Sequence, residues 1–242
     1  RSHNSKQALE SVYFAAETGF NDITVDLIYG VPQLVPKEWE DTVNKTLLLP
    51  INHLSSYSLT LEENTPYNKL VKQGKYIKPD NDLAADHYQT LVTLVKEQGW
   101  EHYEVSNFCK EGIYAVHNTA YWQRQPYLGI GPSAHGFKEN KRFWNVSNNK
   151  AYIQSIVKTK LPQEIEVLKS NNELNEVLLT GLRTKWGVNL SELKQKFGWD
   201  PPNHLITEWQ EKGWLKLDGS QLLVTEEGML FSDYISTELF MV

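Results

Sequence analysis

The sequence predicts an α/β fold in which parallel strands are joined by helical crossovers, followed by a smaller winged-helix-like module. Three observations carry this. Helical and strand periodicities alternate from the start of the chain, the strands are polar on only one face, and the end of the chain runs helix, helix, helix, hairpin, helix. With 40% apolar and 22% charged residues, the 242-residue chain has the composition of a folded globular protein.

Over residues 6–18, Ala8, Leu9, Val12, Ala15 and Ala16 recur at helical spacing and Gly19 supplies the stop. Ile23, Val25 and Leu27 then alternate with Thr24 and Asp26, so a strand ends near Tyr29, before Gly30 and Pro32. Pro36 opens a helix carrying Trp39, Val43 and Leu47, and Pro50 closes it ahead of a second strand over residues 53–61. This order calls for parallel strands whose apolar faces meet the helices. Thr24 and Asp26, with Ser56, Ser58 and Thr60, are assigned to the opposite face, polar enough for a wet barrel lumen. Asp26 and Thr60 are placed at the strand ends where such folds bind ligands. A buried Asp satisfied by backbone donors is the plainer alternative.

A third helix is expected over residues 82–98, stopped by Gly99, and one strand over residues 100–108. Residues 109–149 read as an irregular stretch rich in aromatic, Gly and Asn residues, and residues 158–172 as a polar linker. The expected domains are therefore 1–157 and 173–242. In the second, Leu174, Leu178 and Leu182 line one helix, Leu190, Leu193 and Phe197 the next, and Leu205, Ile206 and Trp209 a third. Gly213 ends that helix, Asp218-Gly219 marks a hairpin, and Thr225 caps the last helix. Winged helices often bind DNA, but residues 166–242 hold 7 Lys and Arg against 12 Asp and Glu, a balance of −5 that opposes phosphate binding. The whole chain, at −6, carries no basic field for nucleic acid or an anionic membrane.

Cys109 is the only cysteine, which excludes an internal disulfide and a thiolate metal cage built from this chain alone, and points to a reducing, cytoplasmic setting. No apolar run of about 18 residues occurs, so no spanning helix is expected, and no secretory leader is recognised.

The stretch Thr24-Val25-Asp26-Leu27-Ile28-Tyr29-Gly30-Val31-Pro32 resembles the DLIYGLP signature of the oxygen-independent coproporphyrinogen III oxidase family of radical S-adenosylmethionine (SAM) proteins. Four more stretches agree in order: Leu54-Ser55-Ser56-Tyr57-Ser58-Leu59-Thr60, Tyr103-Glu104-Val105-Ser106-Asn107-Phe108, His117-Asn118-Thr119-Ala120-Tyr121-Trp122, and the Gly-rich run from Leu128 to Gly136. The resemblance implies the last two strands of a partial (β/α)6 radical SAM barrel, a bridging α+β region and a winged-helix-like C-terminal domain. It further implies a parent protein with SAM and a [4Fe-4S] cluster whose CxxxCxxC loop is not in this sequence. The chain is accordingly expected to be a C-terminal fragment, inert as a radical enzyme by itself and prone to form a homodimer through exposed barrel edges.

By the same resemblance Arg1, Asp26, Thr60 and His135 correspond to SAM contacts, His135 more through its backbone position than its side chain. His117-Asn118-x-x-Tyr121-Trp122 is similar to the HNxxYW motif of the family's heme chaperone branch. It implies heme bound through His117, with Asn118 and Tyr121 beside it, and an acceptor protein for that heme. A structural histidine, with Asn118 closing a turn, is the plain alternative. Conversion of coproporphyrinogen propionates to vinyl groups is the rival activity within the family, and a winged-helix DNA or protein adaptor the rival outside it. Cys109, Tyr57 and Trp144 read as packing residues.

Overall fold

The computed structural model describes residues 3–241. The chain divides into two compact units, split between Tyr114 and Ala115.

In the first unit, α1 (Ser5–Glu17) starts at Asn4, whose side chain caps the Gln7 N–H while Gln7 caps Asn4 in return. It is followed by β1 (Thr24–Tyr29), α2 (Pro36–Leu47), β2 (His53–Ser58), α3 (Pro66–Lys72) and α4 (Asn81–Glu97). The unit closes with β3 (Glu101–Glu104) and β4 (Asn107–Cys109). The helix bounds follow the local signals: Pro36 opens α2 at its first turn, Asp80 caps two N–H groups of α4, and Gly99 leaves α4 at φ 72°.

β1 and β2 pair in parallel from Thr24↔His53 to Tyr29↔Ser58, with α2 as the crossover. They are the last two strands of a partial, open barrel. The sheet runs β1-β2-β4-β3, so it is not closed on itself. Val25, Leu27 and Tyr29 turn to the helices, where Trp39, Val43, Leu54, Leu91, Val95 and Phe108 form the core. Burial of these large side chains supplies most of the folding drive, about 1.5–3 kcal/mol for each apolar side chain fully removed from water.

The register corrects the expected polar face. Leu27 pairs with Ser56 and Tyr29 with Ser58, so both serines share the helix-facing side. The partners of Thr24, Asp26 and Ile28 are His53, Ser55 and Tyr57. β2 also ends at Ser58, two residues before Thr60. The strand expected over residues 100–108 is instead a hairpin, β3 and β4. Its turn is built by Glu104, whose carboxylate accepts from the Ser106 N–H at 3.1 Å and from the Asn107 side-chain amide.

The second unit begins with α5 (Val116–Trp122), β5 (His135–Lys138), β6 (Lys141–Asn145), α6 (Asn149–Val157) and β7 (Gln163–Val167). The stretch read as irregular thus contains two helix starts and a β5–β6 hairpin. The segment read as a linker contains β7, which completes a β5-β6-β7 antiparallel sheet. Alternation in Gln163-Glu164-Ile165-Glu166-Val167 was the signal, masked by its two charges.

The tail follows as α7 (Ser170–Gly181), β8 (Val188–Asn189), α8 (Leu190–Phe197) and α9 (Asn203–Glu211), then β9 (Leu215–Asp218), β10 (Gln221–Val224) and α10 (Ser232–Glu238). The sheet order β8-β10-β9 against these helices is that of a winged helix. Leu174, Leu178, Leu182, Trp209, Leu222 and Ile235 are fully buried in its core. Gly219 enters the hairpin loop at φ 59°, and the Thr225 hydroxyl accepts from the Gly228 N–H ahead of a short 3-10 turn and α10. Glu176 of α7 receives Arg124 at 2.5 Å and, on its other oxygen, Arg142, tying the β5–β7 region to the tail within this unit. No helix among the described residues is long and apolar enough to cross a membrane.

Candidate functional site

The sequence-predicted residues fall into two groups, one in each unit. In the first, Asp26 stands at the third of six positions in β1, not at its end, and its side chain is exposed on the face shared with His53, Ser55 and Tyr57. Thr60 is exposed beyond β2, and its hydroxyl donates to Glu62 at 3.1 Å. Arg1 lies outside the described residues.

Beside Asp26, on the same face, the sheet is polar yet buried. His53, Ser55 and Asn107 are each under 5% exposed, and His53 Nε2 shares a 2.8 Å hydrogen bond with the Tyr103 hydroxyl. Burial holds His53 below the usual histidine range, with Asp26 pulling the other way. At the end of β1 the chain turns through Gly30 at φ 68°. A Cβ there would stand 2.9 Å from that of Ala84, so glycine is required twice over.

In the second unit, His117, Asn118 and Tyr121 lie on α5. His117 and Tyr121, one helical turn apart, are both exposed, while Asn118 is half-buried. The His117 and Tyr121 rings meet edge to face at 4.6 Å, and Tyr121 meets Tyr127 in the same way at 4.4 Å. Burial, then the neighbouring Tyr121, push the Tyr127 phenol upward. Trp122 is half-buried, with the Arg183 guanidinium 4.8 Å from its ring. The short helix is therefore held from behind, with His117 on the outside.

His135 opens β5, exposed, its ring 6.2 Å from Trp144. Its peptide lies against the Gly-rich run: a Cβ on Gly129 would stand 2.1 Å from the His135 carbonyl oxygen. Asn145, 3% exposed, holds this run by donating to the carbonyls of Gly129 and Gly131 at 3.3 and 2.8 Å, and the Tyr152 hydroxyl accepts from the Gly131 N–H. Sequence reasoning did not find Asn145, Tyr152 or Tyr127. Only tertiary contact distinguishes them from their neighbours in the chain.

Cys109 is fully buried, and the described residues contain no group of three or more His, Cys, Asp and Glu placed to hold a metal ion. The side chains of this chain therefore do not fit an iron-sulfur cluster.

An open, mixed α/β sheet whose first two strands are joined by a parallel crossover, followed by a winged-helix module, is the class of fold found in radical SAM barrel proteins with this tail. The structure superposes on coproporphyrinogen III oxidase (HemN) from Escherichia coli, a radical SAM enzyme, with a TM-score of 0.74 over 97% of this chain and 58% of that one. At 18% identity this likeness speaks for the fold alone. Residues 168–231 match the HemN C-terminal domain family. The chain is 30% identical to the heme chaperone HemW of Bacillus subtilis over 97% of its own length and 63% of that protein. It is 34% identical to HemW of Lactococcus lactis over 81% of its own length and 52% of that protein. It is also 34% identical to the mouse radical S-adenosyl methionine domain-containing protein 1, mitochondrial, over 97% and 53%. Over nearly its whole length the chain is similar to HemN/HemW-like radical SAM proteins, and it spans between about half and two thirds of the length of these curated relatives.

Proposed function

We propose that this chain is the heme-carrying part of a heme chaperone, with His117 as the axial ligand. The observation that carries the reading is the exposure of His117 on α5. Its ring contacts Tyr121, and no hydrogen bond among the described residues engages its nitrogens. A neutral imidazole in that state has a lone pair to give to heme iron, and Tyr121 and Asn118 on the same helix flank it. The relatives named heme chaperones support this over coproporphyrinogen oxidation. The acidic tail supports it over a DNA adaptor.

In the same reading Asp26, Thr60 and the His135 peptide, with Arg1, contact SAM in the whole protein. A carboxylate such as Asp26 would accept from ribose hydroxyls or an ammonium group. The cluster that would supply radical chemistry does not fit this chain's side chains, and no step is assigned to it here. A reducing, cytoplasmic setting belongs to the reading as well, supported by the single cysteine.

Hemin titration followed by absorbance tests the proposal. The native chain should give a saturable Soret shift, His117→Ala should lose the axial-ligand feature, and Tyr121→Ala should bind more weakly. Identical spectra for native and His117→Ala protein would return His117 to a surface role.

A further inference from the structure

The loop over residues 30–34 leaves the end of β1 and carries the Gly-Val-Pro of the strand motif. Val31, Pro32 and Gln33 then wall a cleft of about 360 Å³ with Leu59, Tyr67 and Lys75 among its other lining residues. Gly30 and Gln33 both stand at positive φ, 68° and 70°, and the Leu34 N–H donates back to the Val31 carbonyl at 3.1 Å. Tight turns of this kind need an outside partner to select one geometry.

His87, on α4, is 1% exposed. Its Nδ1 accepts the Gly30 N–H at 3.2 Å, and its ring stacks on Trp39 at 5.6 Å and 26°. The Trp39 indole N–H in turn donates to the His87 carbonyl at 2.7 Å, so both the ring and the backbone of His87 are fixed by α2. Burial lowers the His87 pKa and so favours the neutral ring, and its buried Nε2 has no hydrogen-bond partner among the described residues. A histidine used only to fill a core would cost more than a leucine here, because it brings a buried polar atom left unsatisfied. What it provides is an acceptor for Gly30.

We propose that His87 is the positioning residue of the strand-end loop: in its Nε2-protonated form it accepts the Gly30 N–H through Nδ1 and so sets the wall formed by Val31, Pro32 and Gln33. The importance of that loop rests on the reading that this end of the sheet faces a ligand. The brace itself does not.

Selective 15N labelling of histidine and glycine tests the brace without any ligand. In the native chain the His87 ring should show an unprotonated, acceptor-type Nδ1 and a protonated Nε2. A protonated Nδ1 overturns the proposal at once, because that nitrogen then cannot accept. His87→Leu should speed hydrogen exchange at the Gly30 amide by about tenfold or more, the scale of one lost hydrogen bond, with core amides such as Val43 unchanged. His87→Asn places Oδ1, also bonded to Cγ, near the Nδ1 position and should restore Gly30 to within about threefold of the native rate. Unchanged exchange at Gly30 in a folded His87→Leu protein, or an equal rise at Gly30 and Val43, would reduce His87 to packing. If His87→Leu does not fold, the native tautomer and the His87→Asn exchange rate decide the matter. These results stand whether or not heme or SAM binding is ever found, so a failed brace and a failed function remain distinguishable.

Discussion

The two candidate regions are built in opposite ways. Around Asp26 the exposed carboxylate is surrounded by buried polar groups, His53, Ser55, Asn107 and His87, and His53, Asn107 and His87 are each fixed by a hydrogen bond. Around His117 the side chain itself is exposed, on a seven-residue helix whose rigidity comes from Trp122 and Arg183 behind it. A site that must hold a polar ligand in one geometry benefits from a preorganised, buried support. A site that takes up and releases a large flat ligand benefits from an accessible one. The contrast predicts that changes behind the strand site cost stability, whereas changes at the helix site cost binding and little else.

The sharpest way to break this comparison is Trp39→Ala. Trp39 is 1% exposed, packs on Tyr29 and His87 and donates to the His87 carbonyl. Its truncation should destabilise the first unit by about 3–5 kcal/mol in urea denaturation. A loss under about 1 kcal/mol would mean that the support behind β1 is looser than its burial implies. Next is Gly30→Ala, which meets both a left-handed backbone and the Ala84 side chain. We expect a loss of about 1–3 kcal/mol, measured in the same way, and a neutral result would show that the turn can move aside.

A smaller effect concerns pH. Burial holds both His53 and His87 below the usual histidine value, against the pull of Asp26 and Asp86 respectively. Such histidines are neutral in the fold and protonate more readily when unfolded. Stability is therefore full above about pH 6.5 and falls below it, until the folded-state values are reached. The slope is at most about 1.4 kcal/mol per pH unit for each histidine. Denaturation midpoints compared between native and His87→Asn protein should show a shallower acid slope in the variant. Equal slopes would remove His87 from the effect. Smallest is His117→Ala, expected to change stability by less than about 0.5 kcal/mol while abolishing the hemin signature. A large stability loss would place His117 in the support of the helix, and the contrast between the two regions would collapse.

Much of this was legible in the residues because it depends on local chemistry. Pro36 and Pro50 bracket α2, and Gly19, Gly99 and Gly213 end helices at positive φ. The Asp218-Gly219 turn likewise marks the wing, whereas Thr225, expected to cap the last helix, caps the turn before it, and that helix starts at Ser232. The His-Asn-x-x-Tyr-Trp stretch singled out His117 and Tyr121, although that they share one helical face emerged only with α5. These signals act within a few residues, so reading along the chain captures them.

What only the tertiary structure decided is how separate segments pair. Strand phase is one such case: Ser55 and Ser56 are chemically alike, and only the pairing of Asp26 with Ser55 tells which of them shares the carboxylate's face. The splitting of one expected strand into β3 and β4 depended on the Glu104 carboxylate folding back on Ser106 and Asn107. β7 became a strand because β6 offered it an edge, although its own composition reads as a linker. The brace from His87 to Gly30 joins residues 57 positions apart. The sequence by itself determined most elements of the first unit and of the tail, because turns, caps and periodicity are local. The fold alone determined the faces, edges and buried supports, because those contacts form only between segments far apart in the chain.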